Sequence, residues 1–413
     1  MRILILGAGP AGISVAEHLR ALQPGTDQRP EITIISAEPF PPYSPPAMAD
    51  HFLNGRGAAL YWKGTDICER LHVDYRAGMA VRQVDPAAKR VVLADDSTLA
   101  YDELVIATGS RLYAPIDGYD LPGVYNFKSL TAAQELIAHA RGGEVRRAVI
   151  VGAGFIGVEV ALLLADLGLD VLMIEQQDRV MPGTLDAETA EIVGRALEER
   201  GVRVRSRTQA AAFAGNGRAE ALVLEPGEVV KGDAYVAATG VKPNLDYLAG
   251  AGLETGWGLR VDDALCTSAP NIRAAGDAVE TRDRMTGERF VHAIFPNAVA
   301  QARVVAEQLL GYDTRYEGAE SMNSLRHLGI PVIAVGRQTG ETELKIRTDR
   351  QLRKINLTGG RIVGFRLAGD IRGAGVYRSL MLRRVDVSRY GDELLEPGFG
   401  PTRLAGAVFS QAA

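Results

Sequence analysis

Two glycine-rich turns in this sequence have the spacing that lets a backbone hold a phosphate group. They read Gly7-Ala8-Gly9-Pro10-Ala11-Gly12 and Gly152-Ala153-Gly154-Phe155-Ile156-Gly157. In such a turn the first glycine makes the bend, the second lets the backbone approach a pyrophosphate, and the third lets the next helix pack closely. The N–H groups and the dipole at the start of that helix favour negative charge. Each turn is therefore a candidate site for a dinucleotide.

The segments around both turns predict the same local structure. Apolar runs rich in Ile, Leu and Val precede each turn, as in buried parallel strands, and runs with helical spacing follow it. The predicted strands are Arg2–Leu6, Glu31–Ile35, Ala148–Val151 and Asp170–Ile174, and the predicted helices are Ala11–Leu22 and Phe155–Leu167. Two such βαβ units predict an α/β fold with two Rossmann-like dinucleotide-binding domains.

An acid at the end of the second strand of each unit would accept hydrogen bonds from ribose hydroxyls. Glu175 directly follows the strand that ends at Ile174, and Arg179 is the one arginine close behind it that could hold a 2′-phosphate. The sequence therefore predicts NAD rather than NADP in the second unit. In the first unit the candidate is Glu38, which stands farther along because of an insertion over residues 23–30. An ordinary loop acid is the alternative for Glu38.

Further turns place small or acidic residues after apolar strands. Thr108-Gly109 ends one such strand and Gly240 ends another, and a glycine at these points lets the chain turn close to a bound ligand. Gly276-Asp277 places an acid after a third strand, where it could accept a hydrogen bond from a polyol hydroxyl. A simple turn-forming role is the alternative for Asp277.

The order of these motifs carries a resemblance. The chain has GAGPAG at 7–12, ATG at 107–109, GAGFIGVE at 152–159, ATGVKPN at 238–244, AAGDA at 274–278 and PNAVAQ at 296–301. Over essentially its whole length the sequence resembles the FAD-dependent pyridine nucleotide-disulfide oxidoreductase superfamily. The resemblance implies that FAD and NAD(H) are the two cofactors and that a hydride passes between nicotinamide and flavin.

The resemblance also implies roles for individual residues. The residues expected to bind FAD are Gly7, Gly9, Pro10, Ala11, Gly12, Glu38, Thr108, Gly109, Gly276, Asp277, Asn297 and Ala298. The residues expected to bind NAD are Gly152, Gly154, Phe155, Ile156, Gly157, Glu175 and Gly240. The helix near Asn297 would direct its N–H groups at the carbonyl edge of the flavin, and Glu159 would orient the nicotinamide. For Glu159, a first-turn acid that complements the helix dipole is the alternative.

The loop at residues 43–50 departs from the disulfide reductases and peroxidases that the sequence resembles, because it contains no cysteine. A redox disulfide and a sulfenic acid are therefore excluded there. Ferredoxin and rubredoxin reductases of the superfamily often carry basic residues in this loop, where this chain has Pro45 and Asp50. The two cysteines, Cys68 and Cys266, have no metal-ligand spacing, so we expect no metal site or iron–sulfur cluster on the chain's own thiolates.

Three segments resemble a narrower branch of the superfamily, the NADH-linked flavin subunits of phenylglyoxylate and tungsten aldehyde oxidoreductases. They are Pro42–Pro45, Ser321–Leu325 and Gly369–Tyr377. This resemblance implies that electrons pass between NAD(H) and iron–sulfur clusters on a partner subunit, with diaphorase activity toward artificial dyes. Two alternatives stay open: a stand-alone reductase of a small ferredoxin-like carrier or rubredoxin, and a non-catalytic flavin-binding scaffold.

Composition sets the remaining expectations. With 413 residues, 46% of them hydrophobic, the chain can form several domains. We expect an FAD domain at 1–112 and 241–320, an NAD domain at 113–240 and a C-terminal α+β interface domain at 321–413. The net charge of -5 and the lack of like-charge blocks argue against nucleic acid and anionic membranes as partners. The sequence predicts no membrane span, and its low cysteine content favours a cytoplasmic location.

The C-terminal segment and one earlier helix complete the sequence-based predictions. A helix that begins with Thr184 and Asp186 should run through Arg200. The proline-rich piece Glu38–Pro46 should be an extended loop without helix. The C-terminal domain should contain strands at Pro331–Gly336, Gln351–Leu357 and Arg361–Leu367, and a basic helix at Tyr377–Arg384. That helix is a candidate partner surface, although solvated arginines are the commoner explanation of such a helix.

Overall fold

A computed structural model describes residues 1–23, 29–325, 327–400 and 403. The chain divides into two compact units, each assembled from separate stretches of sequence. Unit 1 contains residues 1–114, 126–139 and 240–320, and unit 2 contains residues 115–125, 140–239 and 321–413 as far as they are described. The boundaries of the three domains that the sequence predicts stay a prediction.

The strands of the described residues are numbered in chain order. They are β1 (Arg2–Leu6), β2 (Glu31–Ile35), β3 (Asp74–Arg76), β4 (Val81–Asp85), β5 (Arg90–Leu93), β6 (Thr98–Ala100), β7 (Glu103–Ile106), β8 (Ser110–Leu112), β9 (Val124–Tyr125), β10 (Arg147–Val151), β11 (Asp170–Ile174), β12 (Val202–Arg205), β13 (Ala210–Ala214), β14 (Ala221–Leu224), β15 (Val229–Val230), β16 (Ala234–Ala237), β17 (Val241–Pro243), β18 (Leu259–Arg260), β19 (Ile272–Ala274), β20 (Val279–Arg282), β21 (Arg289–Phe290), β22 (Met322–Leu325), β23 (Val332–Gly336), β24 (Thr342–Arg347), β25 (Leu352–Thr358) and β26 (Arg361–Ala368).

The α-helices are numbered in the same way. They are α1 (Pro10–Leu22), α2 (Met48–Asn54), α3 (Gly57–Leu60), α4 (Ile67–Arg70), α5 (Leu130–Arg141), α6 (Phe155–Asp166), α7 (Ala187–Glu199), α8 (Phe295–Leu309) and α9 (Ala374–Leu382). Short 3-10 segments lie at Pro45–Ala47, Asp246–Leu248, Gly276–Ala278 and Ser388–Leu395.

Unit 1 is built on a parallel five-stranded sheet with the order β19-β7-β1-β2-β3. Strand β1 lies at its centre, and its residues Ile3, Leu4, Ile5 and Leu6 are all buried. Such a continuous apolar run is what a strand needs when both faces of the sheet are covered. Helix α1 packs closely with α8. Two small antiparallel sheets, β4-β5-β6 and β17-β8, and the small mixed sheet β18-β20-β21 complete the unit.

Unit 2 repeats this plan with a second parallel sheet in the order β12-β11-β10-β16-β9. The central strand β10 pairs with β11 in the register Val151 to Ile174, as β1 pairs with β2 in the register Leu6 to Ile35. The following helix α6 has a wholly apolar interior stretch, with seven of its twelve residues buried. The two glycine turns therefore stand at equivalent points of two similar sheets.

The C-terminal part of unit 2 is an antiparallel sheet with the order β22-β23-β26-β25-β24. Strand β25 is buried on both faces, and Arg353, Lys354 and Asn356 on it are buried together with apolar residues. Helix α7 contacts β26, and helix α9 contacts the same strand. Buried charged groups need partners, and Lys354 has one of its partners, Glu188, on α7.

Most predicted elements are present, with shifts of one to three residues at their ends. The proline-rich piece is an exception: Pro45–Ala47 forms a 3-10 turn that leads into α2, so the prediction of a loop without helix is wrong there. The reason is that prolines occupy the first turn, where a missing N–H costs no hydrogen bond. The predicted helix after Thr184 begins later, at Ala187, because Asp186 caps it. The predicted basic helix Tyr377–Arg384 is α9, which starts and ends earlier.

Within residues 1–23, 29–325, 327–400 and 403, no cluster of His, Cys, Asp or Glu has the composition to hold a metal ion. Over the same residues, every helix is too short or too polar to cross a membrane.

Candidate dinucleotide-binding sites

The glycine turn of unit 1 brings backbone segments closer together than a side chain would allow. Gly7 has a φ of +109°, and a Cβ placed on it would lie 2.1 Å from the carbonyl oxygen of Ala107. A Cβ on Gly12 would lie 1.9 Å from the carbonyl oxygen of Gly7. By contrast, a Cβ on Gly9 would meet no described atom within 4 Å. The first and third glycines are therefore needed for folding, whereas the second borders open space that a ligand can enter.

The turn of unit 2 repeats these distances residue by residue. Gly152 has a φ of +103°, and its Cβ would lie 2.4 Å from the carbonyl oxygen of Ala238. A Cβ on Gly157 would lie 2.0 Å from the carbonyl oxygen of Gly152, and one on Gly154 would meet no described atom within 4 Å. The two turns thus offer the same cradle, and each fits a pyrophosphate that must approach the backbone.

The helices that follow the turns begin in a way that leaves donors available. Gly9 and Gly154 are the residues before the first turns of α1 and α6, and both have extended backbone. Among the described residues, no side chain caps either helix. Unsatisfied N–H groups and the positive end of the helix dipole therefore coincide with the open glycine, which is the arrangement that binds phosphate.

The ends of the second strands show why Glu38 and Glu175 lie at different distances along the sequence from their glycine turns. Gly7 N–H donates to the carbonyl of Ile35, and Gly152 N–H donates to that of Ile174, both at 2.8 Å. The residue after Ile174 is Glu175, but the equivalent residue after Ile35 is Ser36. Glu38 therefore stands two residues beyond the equivalent position. The 23–30 insertion accounts for the rest of its offset, and residues 24–28 of that insertion lie outside the described residues.

Glu175 is held against the glycine turn of unit 2. Its side chain is buried, with the residue only 7% exposed. One carboxylate oxygen accepts the Ala153 N–H at 2.8 Å, and the other accepts the Gln177 N–H at the same distance. A carboxylate has about four acceptor positions, so it can still accept ribose hydroxyls after these two bonds.

Two nearby cations, Arg179 and Arg205, are engaged with acids of their own. Arg179 pairs with Asp178 at 2.7 Å and donates to the carbonyl of Leu185. Arg205, at the end of β12, forms a two-pronged pair with Glu228. A 2′-phosphate would have to compete with these pairs and face the Glu175 carboxylate, which favours NAD over NADP.

In unit 1, Glu38 belongs to a hydrogen-bonded group that the sequence did not indicate. Thr131 donates to one carboxylate oxygen through its N–H at 3.0 Å and its hydroxyl at 2.9 Å. The hydroxyl of Tyr43 donates to the other oxygen at 2.6 Å and accepts the N–H of Leu130. Burial and the Glu38 carboxylate raise the pKa of Tyr43, so its hydroxyl stays a donor. The Glu38 carboxylate is thus held in place by hydrogen bonds from Thr131 and Tyr43.

Asp277 is the centre of a second group in unit 1. One of its carboxylate oxygens accepts from Lys128 Nζ and from the hydroxyl of Ser110, both at 2.9 Å. All three side chains are half-buried or less exposed. Lys128 and Ser110 were missed in the sequence because they lie far from Asp277 along the chain. Their one signal was that Ser110 follows the Thr-Gly motif directly.

The Thr108-Gly109 turn is fixed by the segment after β17. The Thr108 hydroxyl donates to the carbonyl of Asn244 at 3.0 Å and lies 3.0 Å from the hydroxyl of Tyr247. Asn244 returns a hydrogen bond from its side chain to the Thr108 carbonyl. Gly109 has a φ of +65°. The side chain of Thr108 is therefore used to hold the turn, and its expected contact with FAD would have to come from the backbone or share the hydroxyl.

The start of α8 differs in detail from its expected role. Helix α8 begins at Phe295, two residues before Asn297. The Asn297 side chain is buried and exchanges hydrogen bonds with the backbone of Glu320, at 3.0 Å and 3.1 Å. Its amide side chain thus anchors the chain after the helix. The expected contact with the flavin edge is left to the N–H groups of the helix end, and the neighbouring Ala298 is buried.

Gly276 joins two of the expected FAD segments. A Cβ on it would lie 3.0 Å from the Cβ of Ala11, in α1, and its φ is +81°. Its N–H donates to the buried side chain of Gln301 at 2.7 Å. The structure therefore brings the glycine turn, Gly276 and the start of α8 together within unit 1.

The remaining predicted residues of the NAD set lie in the first turns of α6 or at the unit boundary. Phe155, Ile156 and Glu159 are half-buried on α6. Gly240 has a φ of +133°, and its carbonyl accepts the N–H of Tyr113 within unit 1. Gly240 belongs to unit 1, whereas the other expected NAD residues belong to unit 2.

Comparison with known proteins agrees with this geometry. Residues 1–302 match the family described as pyridine nucleotide-disulphide oxidoreductase. The NADH-dependent phenylglyoxylate dehydrogenase subunit epsilon of Aromatoleum evansii is 30% identical over 400 residues, which are 94% of this chain and 93% of that protein. The rubredoxin-NAD(+) reductase of Ectopseudomonas oleovorans is 30% identical over 360 residues, which are 83% of this chain and 92% of that protein.

A solved structure supports the fold. Putidaredoxin reductase in its covalent complex with putidaredoxin has a TM-score of 0.86 to this chain at 22% identity, and the match covers 98% of both chains. At this identity the likeness is one of fold. The predicted α/β architecture with Rossmann-like domains is confirmed by this match and by the two parallel sheets.

Substitutions at two glycines of the second turn should have different effects. Gly154→Ala adds a Cβ into open space, so we expect a folded protein whose NADH dissociation constant rises about tenfold, roughly 1.4 kcal/mol. Gly157→Ala adds a Cβ against the Gly152 carbonyl and should lower the free energy of unfolding by roughly 1–3 kcal/mol or more. Calorimetric titration and thermal unfolding separate the two. If both variants lose the same stability, the claim that Gly154 borders open space while Gly157 is tightly packed is wrong.

Glu175 should set the choice between the two nicotinamide coenzymes. Because Glu175→Ala removes an acceptor for the 2′-hydroxyl and a charge that repels a 2′-phosphate, the ratio of kcat/KM for NADH over NADPH should fall about tenfold. Glu175→Gln is the matched control, since it keeps an acceptor for the Ala153 N–H but removes the charge. A wild-type enzyme that already prefers NADPH, or an unchanged ratio in both variants, would refute the assignment.

Proposed function

The chain belongs to the pyridine nucleotide-disulphide oxidoreductase family, whose members bind FAD and NAD(H), and we propose that it exchanges electrons between NAD(H) and the iron–sulfur cluster of a partner protein. Its relatives are NAD(H)-linked flavin oxidoreductases. We assign FAD to the turn of unit 1 and NAD(H) to the turn of unit 2. The partner is a subunit of a larger redox complex, such as an aldehyde or 2-oxoacid oxidoreductase.

One observation carries this proposal: the same glycine cradle occurs twice, once in each unit. In both cradles the middle glycine borders open space and the first helical N–H groups are uncapped by described side chains. Two pyrophosphates can therefore be bound by backbone donors. A single cradle would suit an ordinary dehydrogenase, whereas a pair suits transfer between two dinucleotides.

The residues of this chain supply binding and orientation. Gly9 and Gly154 leave room for the pyrophosphates, and Glu38 and Glu175 accept hydrogen bonds from the adenosine riboses. Asp277, already fixed by Lys128, accepts from a polyol hydroxyl, while Glu159 orients the nicotinamide. A bound FAD supplies the conversion between the two-electron hydride of NADH and the single electrons that clusters carry.

The thiols of the chain do not support a sulfur relay. Cys68 is buried, and burial raises its pKa to about 11, which keeps the thiol protonated and unreactive at neutral pH. Burial also raises the pKa of Cys266, which is half-buried. With no cysteine at residues 43–50, electrons must leave for an acceptor that the chain does not itself provide.

The choice of a complex over a free carrier rests on two features. The relative named as a subunit of phenylglyoxylate dehydrogenase matches 94% of this chain, whereas the rubredoxin-NAD(+) reductase matches 83% of it. In addition, Pro45 and Asp50 occupy loop positions where ferredoxin and rubredoxin reductases often carry basic residues. The second candidate, a stand-alone reductase of rubredoxin or ferredoxin, is supported by the likeness to rubredoxin-NAD(+) reductase. For either function we propose a cytoplasmic location, which low cysteine content favours.

Anaerobic rapid mixing with NADH tests the electron transfer itself. The flavin absorbance near its visible maximum should bleach at a rate on the order of 10 s⁻¹ or faster, a typical enzymatic turnover rate. Gly154→Ala serves as the control because it should need more NADH for the same rate. If the flavin stays oxidised in excess NADH, the proposal is refuted and the non-catalytic scaffold is the remaining alternative.

Native isolation of the protein separates the two candidate partners. A subunit of a complex should elute with iron-containing subunits and reduce artificial dyes when isolated alone. A monomer that elutes free of iron and rapidly reduces added rubredoxin or ferredoxin would instead support the stand-alone reductase.

A further inference from the structure

The loop at residues 176–186, which we call the ribose loop, links Glu175 to helix α7 in unit 2. It is tied directly to the glycine turn, because the Met181 N–H donates to the carbonyl of Ala153 at 2.8 Å. Ala153 in turn donates its own N–H to Glu175. Met181 has a φ of +49°, and its carbonyl accepts the N–H of Leu185, so the loop folds back on itself. The position of the ribose loop and that of Glu175 are therefore coupled.

The opposite side of the ribose loop is held by the C-terminal sheet of the same unit. The side chain of Gln338, just after β23, donates to the carbonyl of Pro182 at 3.1 Å. Lys354, on β25, places its Nζ 3.1 Å from a carboxylate oxygen of Asp186. Two side chains therefore hold the C-terminal part of the ribose loop: Gln338 contacts Pro182, and Lys354 contacts Asp186.

Lys354 is buried among acids. Its side chain is 8% exposed, and its ammonium group also lies 3.1 Å from Glu188 and 2.7 Å from Glu343. Burial opposes the charged form, but the neighbouring carboxylates of Glu343, Asp186 and Glu188 outweigh it and raise the pKa of Lys354. A permanent cation with three acids around it has little freedom to move.

Asp186 uses its two oxygens for different purposes. One accepts the Thr189 N–H at 2.8 Å and so caps α7, while the other faces Lys354. Burial would raise the pKa of Asp186, but the hydrogen bonds from Thr189 and the nearby Lys354 cation lower it below its usual value. The end of the ribose loop and the start of α7 are therefore fixed by one charged contact with the sheet.

The backbone directly before Gln338 is also held by hydrogen bonds. The guanidinium group of Arg366, which is buried on β26, donates to the backbone carbonyls of Val335, Gly336 and Arg337. These carbonyls belong to the end of β23 and the turn that precedes Gln338. A continuous series of contacts therefore runs from the sheet through the ribose loop to the glycine turn.

We propose that Lys354 and Gln338 are positioning residues for the adenosine half of NAD(H), which they place by holding the ribose loop against the glycine turn and Glu175. This inference rests on the proposed NAD site of unit 2. It gives the C-terminal sheet a role in coenzyme affinity, in addition to the partner role expected for that domain.

The test is a calorimetric titration of the FAD-loaded protein with ADP-ribose, which carries the adenosine and pyrophosphate but no reactive ring. For Lys354→Met the ADP-ribose dissociation constant should rise roughly tenfold, within the range that contact networks transmit between sites. The KM for NADH should rise in parallel, while kcat at saturating NADH should stay within about twofold. Lys354→Arg should recover most of the affinity because it restores the cation.

Lys345→Met is the matched control. Lys345 contacts Glu188 and Glu343 as Lys354 does, but it is exposed and no contact joins it to Asp186 among the described residues. Its ADP-ribose affinity should change less than about twofold, the scale of an exposed ion pair. All variants are compared below their unfolding temperatures, so that lost stability is not mistaken for lost affinity.

The outcomes distinguish failure of the inference from failure of the proposed function. A folded Lys354→Met with wild-type affinity overturns the positioning role. If Lys354→Met does not fold, Gln338→Ala decides: it removes a single uncharged bond and should weaken ADP-ribose binding about threefold, while unchanged binding overturns the role. If the wild-type protein itself binds no ADP-ribose, the NAD site of the proposed function fails and the inference falls with it.

Discussion

The fold depends on contacts between backbone and backbone at two glycine turns. At Gly12 and Gly157 the following helix lies so close to the turn that an added Cβ would reach within about 2 Å of a carbonyl oxygen. No other residue type permits this approach, so the helix N-terminus is brought directly over the strand end. The open second glycine then leaves helix N–H groups, which no described side chain caps, next to free space. This geometry suits an anion without a dedicated cation.

The acids around the cradles are consistent with that arrangement. Glu175 and Glu38 are both held by hydrogen bonds from this chain, so their carboxylates are fixed before any ligand arrives. Fixed acceptors cost little reorganisation when ribose hydroxyls bind. In unit 2 the same restraint extends through the ribose loop to the C-terminal sheet. The proposed adenosine site of unit 2 would therefore depend on residues far from it in sequence, such as Lys354.

Sequence reasoning succeeded where the chemistry is local. The two turns and their strands follow from spacing within single βαβ units. The position of Glu175 directly after β11 follows in the same way, and its role in binding NAD stays a prediction. The resemblance to the oxidoreductase superfamily is confirmed by the family match. It could not find Lys128, Tyr43 or Thr131, because tertiary packing brings them to the predicted acids from distant segments. It also could not predict that the Asn297 side chain would form hydrogen bonds with the backbone of Glu320, because the two residues are 23 positions apart in the sequence.

The central claim is that one chain binds two different dinucleotides in two equivalent cradles. The direct measurement is cofactor stoichiometry: the flavin released on denaturation of the purified, FAD-saturated protein is identified and counted, and the intact protein is titrated with ADP-ribose, which cannot reduce the flavin. The account predicts one FAD and one ADP-ribose for each chain, with ADP-ribose binding undisturbed by the bound flavin. A colourless protein that takes up no added FAD, or one in which FAD and ADP-ribose compete for a single site, would contradict it.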